Sequence, residues 1–279
     1  MKDKRKIISI ALVVVGTICL IGAIILCIYY FSLDRQTEAS LESFRFAAKE
    51  SIATAAQDIS SLKDDIIDNV SENANEAVPN PYSDSFLANE DVVAWLYVPG
   101  TNIDYPVMWT PQDENYYLYR DFDKKDNLNG SLILDTDSSL DPLTTNLIIH
   151  GHNMKSGAMF GNLTDYEDEE YYKEHNQIIL HTKECQKNYE VIAVFRSQVY
   201  KKTDDVFKFY KFFQANTKEE FNDFYDNIKD LSIYDTGVTA EFGDNFITLS
   251  TCVYHVTNGR FVIVAKEVDP GDFYLPLEK

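Results

Sequence analysis

A lone thiol and an imidazole, each closing an apolar run, and a permanent cation shortly after the thiol are the residues of this chain best suited to nucleophilic chemistry. The thiol is Cys252, at the end of Thr248-Leu249-Ser250-Thr251-Cys252, and the cation is Arg260. The imidazole belongs to Asn146-Leu147-Ile148-Ile149-His150-Gly151-His152-Asn153-Met154. A thiol attacks as the thiolate and needs a neighbour that moves protons, a role suited to His152. Cys252, His152 and Arg260 therefore form a candidate active site.

The elements that must position these groups read as strands. With a side-chain period of two, Thr248, Ser250 and Cys252 point one way and Ile247, Leu249 and Thr251 the other, which puts the thiol on the more polar face. Unpaired cysteines are usually inert packing residues, and those more often occupy the apolar row. Arg260 opens the next strand and can come beside Cys252 across an antiparallel pair, or stand as a surface ion-pair residue. His152 follows Gly151, where the backbone can turn and leave the ring over a groove. His150 shares its parity and is an alternative base, a core residue or a groove wall. His255 makes a Cys-x-x-His spacing with Cys252, but without further ligands it builds no metal site. His175 and His181 lie in polar surroundings and are expected at the solvated surface.

Eight short runs rich in Val, Ile, Tyr and Phe are predicted strands: Val92–Val98, Tyr105–Trp109, Ser131–Asp135, Asn146–His152, Gln177–Thr182, Tyr189–Tyr200, Asn245–Cys252 and Arg260–Val268. Eight strands imply a closed barrel or a sandwich. The stretch from Lys201 to Asp244 is too long for a structureless connection, and Thr217-Lys218-Glu219-Glu220 has a capping-box pattern. Phe221, Phe224, Tyr225, Ile228 and Leu231 follow at helical spacing, so a helix with an apolar face is expected before the cysteine strand.

Ahead of this β-rich part, Lys2, Lys4, Arg5 and Lys6 precede an uncharged apolar stretch from Ile7 to Phe31. Roughly 25 residues at about 1.5 Å each cross a hydrocarbon core ~30 Å thick, which makes 7–31 a membrane helix, and the basic cluster predicts a cytoplasmic N-terminus. Leu41, Phe44, Ala48, Ile52, Ala55, Ile59, Leu62, Ile66 and Val70 recur at intervals of three and four, as in a helical stalk that partly packs on the domain. Ser71 to Ser85 reads as a linker. The expected organisation is a basic segment at 1–6, the membrane helix, stalk and linker over 32–85, and a catalytic domain over 86–279. A net charge of −20 makes nucleic acid an improbable partner. Of the four cysteines, Cys19 and Cys27 fall in the apolar stretch and Cys185 in a polar turn, so the fold relies on its core rather than on disulfides.

Asp91-Val92-Val93-Ala94-Trp95-Leu96-Tyr97-Val98-Pro99-Gly100-Thr101-Asn102-Ile103-Asp104-Tyr105-Pro106-Val107, then His150-Gly151-His152-Asn153-Met154-Lys155-Ser156-Gly157-Ala158-Met159-Phe160-Gly161, then Thr248-Leu249-Ser250-Thr251-Cys252 with Arg260, resemble a sortase of class B. The resemblance covers about residues 86 to 268 and extends to the N-terminal anchor and the helix before the cysteine strand. It implies a mainly β fold with peripheral helices, an eight-stranded barrel behind the membrane helix and stalk. It further implies Cys252 as nucleophile, His152 as general acid and base, and Arg260 as the residue that orients substrate and stabilises the oxyanion. His150 stands where the family often has tyrosine. The activity implied is cleavage of a sorting signal of the Asn-Pro-x-Thr type on secreted proteins, through a thioester, and transfer to an amino group of a peptidoglycan precursor outside the membrane. No cofactor or metal is expected. The two other readings of the same residues are a cysteine peptidase that gives its acyl group to water and a noncatalytic, membrane-tethered scaffold.

Overall fold

The computed structural model describes residues 2–65 and 80–269. Two compact units divide between Ser40 and Leu41. In the first, the apolar stretch is helical and its side chains from Ile10 to Phe31 are exposed. It belongs to α1 (Lys2–Asp65), a single helix where the sequence pattern shows two segments. No proline interrupts it, and the helix is long and apolar enough to cross a membrane.

In the second unit, eight strands close into a barrel: β1 (Val92–Tyr97), β2 (Asp104–Met108), β3 (Leu132–Leu134), β4 (Asn146–Gly151), β5 (Gln177–Thr182), β6 (Gln186–Gln198), β7 (Phe246–Cys252) and β8 (Gly259–Val268). Their order around the barrel is β1-β2-β3-β4-β7-β8-β6-β5. Every predicted strand is present within a few residues of its expected ends. The barrel, not the sandwich, is the outcome, because β1 also pairs with β5 and leaves no free edge. β4 and β7 are parallel neighbours although β5, β6 and the helix Lys218–Leu231 lie between them in the chain.

The two faces of the β7–β8 pair bury against different partners. Ile247, Leu249, Phe261 and Ile263 face one cluster with Leu96, Leu180 and Ile149, which fills the barrel. Phe246, Val262 and Val264 face a second cluster with Phe221, Phe224 and Ile228 of α4 (Lys218–Leu231). The predicted capping box is formed: Thr217 accepts from the Glu220 N–H and Glu220 reaches back to the Thr217 N–H. Cys252 has the parity of Phe246, so its side chain is on the barrel's outer face, beyond the part that α4 covers.

Among the described positions of the predicted stalk seam, the first ones pack and Ile52 does not. Leu41 and Ala48 are buried, and Phe44 lies 6.2 Å from the Trp95 ring and 5.1 Å from Phe122. Ile52 is exposed; the side chains of Ala55, Ile59 and Leu62, along with Ile66, Val70 and most of the predicted linker, lie outside the described residues. Ordered packing begins ahead of residue 86. Tyr82 is buried and stacks on Trp95 at 4.4 Å, and α2 (Ser83–Ala88) follows it.

Two histidines depart from the expected surface role. His181 is buried, because β5 has the barrel core on one side and Tyr82, 5.0 Å away, on the other. Burial pushes its pKa down to about 4. His175 caps α3 (Glu169–Glu174) and is half-buried, with Nδ1 3.1 Å from the Pro99 carbonyl.

Candidate active site

Strand register brings the three predicted residues together. Cys252 and Arg260 are direct partners across the antiparallel β7–β8 pair. Gly151 and Thr251 are partners across the parallel β4–β7 pair, so the next residues along, His152 and Cys252, end neighbouring strands. Adjacent strands run about 4.8 Å apart, which sets an imidazole on one side of the thiol and a guanidinium on the other. All three line one pocket of about 490 Å3.

Hydrogen bonds lock the two strand ends. Thr251 Oγ1 donates to the Gly151 carbonyl at 2.7 Å, and Asn153 Nδ2 donates to the Cys252 carbonyl at 2.9 Å. Gly151 is needed for room rather than for a turn: a Cβ there would meet Leu132 and Phe160 side-chain carbons at 2.6 Å. The close packing of Gly151 onto the barrel core leaves the next side chain, His152, directed to the outer face.

His152 is held by a segment with no sequence signal. The 3-10 turn Tyr116–Tyr119 brings the Leu118 carbonyl 2.8 Å from Nε2, and the Tyr119 ring stacks on the imidazole at 5.6 Å. A carbonyl only accepts, so Nε2 carries a hydrogen and Nδ1 is left for proton transfer. The tether fixes tautomer and ring plane while leaving His152 half-buried.

Arg260 donates from one guanidinium nitrogen to the Gly259 carbonyl at 3.0 Å. Among the described residues no carboxylate lies within ion-pair distance of it, in contrast to the surface ion-pair reading. Cys252 and Cys185 are both free thiols; Cys185 is exposed in the β5–β6 turn. No cluster of three metal-ligating side chains occurs among the described residues.

His150 lies in the same pocket, but it is engaged elsewhere. Its Nε2 is 3.0 Å from Asp135 Oδ2. Burial alone would raise the Asp135 pKa, yet the His150 ring and the Asp137 N–H hold it below the usual carboxylate range. Asp135, Asn153 and Leu118 were not singled out from the sequence. Asn153 follows the candidate base directly and Asp135 ends a strand, but neither position carries a spacing that marks it.

Comparison with known proteins shows the family of the barrel. The sortase domain model matches residues 96–268. Sortase B of Listeria monocytogenes is 32% identical over 198 residues, which cover 70% of this chain and 77% of that one. The crystal structure of Clostridium perfringens sortase B aligns with a TM-score of 0.60 at 26% identity, covering 67% of this chain and 98% of that one. A Staphylococcus aureus sortase B–substrate complex shares the fold, with a TM-score of 0.68 at 24% identity over 85% of this chain and 98% of its own. With a family model over most of the barrel and the cysteine, histidine and arginine meeting at its strand ends, this chain belongs to the sortase family of cysteine transpeptidases, with its likeness to class B.

Proposed function

We propose that the protein is a membrane-anchored transpeptidase that joins secreted proteins to a cell-wall precursor at Cys252. The observation that carries this is the register in which Cys252 faces Arg260 on one side and follows the His152 strand end on the other. The Cys252 thiolate attacks the carbonyl carbon of the threonine in an Asn-Pro-x-Thr-like sorting signal. As the C–S bond forms and the C–N bond breaks, protonated His152 gives its proton to the departing amine. An amino group of a peptidoglycan precursor then attacks the thioester; the C–N bond forms, the C–S bond breaks and His152 takes the proton back. Arg260 is placed to orient the acyl carbonyl and to stabilise the oxyanion, a contribution often worth about 3 kcal/mol per donor.

Residues 7–31 hold the enzyme in the membrane, with the basic N-terminus inside and the catalytic domain outside. The apolar helix and the flanking Lys2, Lys4, Arg5 and Lys6 support that topology. The test is mass spectrometry of the protein incubated with a threonine-containing signal peptide, with and without an amine acceptor. A thioester on the fragment containing Cys252 and a new amide when amine is present are expected. Hydrolysis unaffected by amine would make the protein a peptidase instead, and absence of any adduct would remove the acyl-transfer reading.

A further inference from the structure

Two protons must leave an acceptor amine before its nitrogen becomes that of an amide, and His152 takes only one of them. An amino group is ordinarily an ammonium ion at neutral pH, with a pKa between about 7.7 and 10.4. It loses one proton to expose its lone pair and a second as the tetrahedral adduct collapses. His152 is neutral once it has protonated the departing amine, so it accepts a single proton. The pocket wall holds a second imidazole. His150 and Ser250 are direct register partners on β4 and β7, two residues before His152 and Cys252 respectively. His150 therefore shares the outer face with the thiol, about 7 Å away along the strands.

Three observations suit His150 to the other proton. Its Nε2 lies 3.0 Å from Asp135 Oδ2, while the Asp137 N–H holds Oδ1 at 3.0 Å. Burial works to raise the Asp135 pKa, but the His150 ring and the Asp137 N–H keep this carboxyl ionised. A carboxylate only accepts, so Nε2 of a neutral His150 carries the hydrogen and Nδ1 keeps a lone pair. Ser250 does not occupy that lone pair: its hydroxyl is buried and has no hydrogen-bond partner among the described residues. The His150 side chain is 37% exposed and lines the pocket. Charge is also divided across this pocket. The strands run β3-β4-β7-β8, so Asp135, just past β3, and Arg260 on β8 lie on opposite flanks of the thiol. Glu114 is the other carboxylate of the lining, and Lys211 acts on Asp135 from outside it. An ammonium ion is drawn to the carboxylate flank and an acyl oxygen to the guanidinium flank.

We propose that His150, oriented by Asp135, is a second base that receives the first proton of the acceptor ammonium, while His152 receives the second. This rests on the acyl-transfer reading above. The ammonium gives one proton to His150, whose imidazolium is paired with Asp135. The freed lone pair forms the C–N bond at the thioester carbon, the C–S bond breaks with its electrons on the Cys252 sulfur, and the second N–H proton passes to His152. The thiolate and imidazolium of the starting state are restored, and His150 returns its proton to water. An attacking nitrogen stands about 3–3.5 Å from an acyl carbon that is one bond from the sulfur, within the spacing between the two rungs. The tyrosine that the family often has at this position titrates near 10 and does not take a proton at neutral pH, so the second base belongs to this chain's own sequence.

The experiment gives the full chain in detergent one threonine-containing signal peptide and two competing nucleophiles. One is diglycine, whose α-amino group titrates at about 7.7–8.0. The other is hydroxylamine, which is already mostly neutral at pH 6.5. Both attack the same thioester, so the amide-to-hydroxamate ratio, read by mass spectrometry, is independent of how fast the thioester forms. His150→Phe should lower this ratio by about 10-fold relative to wild type at pH 6.5, where most diglycine is protonated, and by little at pH 9, where most is not. Asp135→Asn should give a smaller loss with the same pH trend, and it decides the matter if His150→Phe does not fold. A ratio equal to wild type at both pH values, or a deficit as large at pH 9 as at pH 6.5, overturns the second base, and hydroxamate formation then leaves acyl transfer standing. Absence of any thioester or hydroxamate in wild type overturns the acyl-transfer reading and the second base with it.

Discussion

The strand-end pocket and the packed face of β1 and β5 each hold a histidine, and the two are used in opposite ways. At the pocket, His152 is tied through Nε2 to the Leu118 carbonyl and backed by Tyr119, yet it lines an open cavity. On the packed face, His181 lies opposite Trp95 and against Tyr82, with its pKa pushed down to about 4 by burial. Polar tethers orient a ring without closing it in. Apolar walls remove it from solvent and from proton exchange at neutral pH.

That contrast breaks if a variant of one region behaves like a variant of the other. The largest effect is expected at the nucleophile: Cys252→Ala should abolish both turnover and the covalent adduct, whereas Cys185→Ala should leave the adduct in place, read by mass spectrometry. His152→Ala should lower kcat by about 10²- to 10⁴-fold with little change in thermal midpoint. His150→Ala should leave substantial turnover, so comparable kcat losses in both would assign the proton-transfer role to His150 instead. Arg260→Lys keeps the charge but loses the forked donor, and a fall of roughly 10²-fold in kcat is expected.

His181 sharpens the comparison through stability instead of rate. Its folded pKa of about 4 lies below the ordinary 6.5, so between those values the unfolded chain binds a proton that the folded chain does not. Stability contributed by neutral His181 is therefore complete above pH ~6.5 and is lost as the pH falls towards 4, by ~3 kcal/mol across the window. Denaturant titrations at pH 7.5 and pH 5 should show the loss in wild type and a smaller one in His181→Gln. An equal loss in both would place the acid sensitivity elsewhere. A smaller effect is expected from Phe44→Ala, which removes the ring packed against Trp95 and Phe122 from a position that is only partly buried. It should lower stability by about 1–3 kcal/mol without changing the adduct.

Cys252, His152 and Arg260 stand out in the sequence because each ends or opens an apolar run, and such runs become strands whose ends are where a barrel opens to solvent. Asp135 and Leu118 do not stand out, since an acidic strand end and a leucine in a tyrosine-rich turn occur for many reasons. His181 departs from its expected surface position for a related cause. Its flanking Thr182, Lys183 and Glu184 are polar, and only the packing of Tyr82 over β5 shows that the strand is covered on both faces.

Local pattern by itself determined the eight strands, the α4 helix with its Thr217 cap, the apolar N-terminal helix and the parity that turns Cys252 to the more polar face. These follow from neighbours within a few residues, where periodicity and capping act. Tertiary structure alone decided that β4 lies parallel to β7, that Cys252 meets Arg260 in register, and that the Leu118 carbonyl and Asp135 each take one of the two pocket imidazoles. Those pairings join segments up to about a hundred residues apart. Their energies depend on burial and geometry across the closed barrel, and no local run of residues encodes that closure.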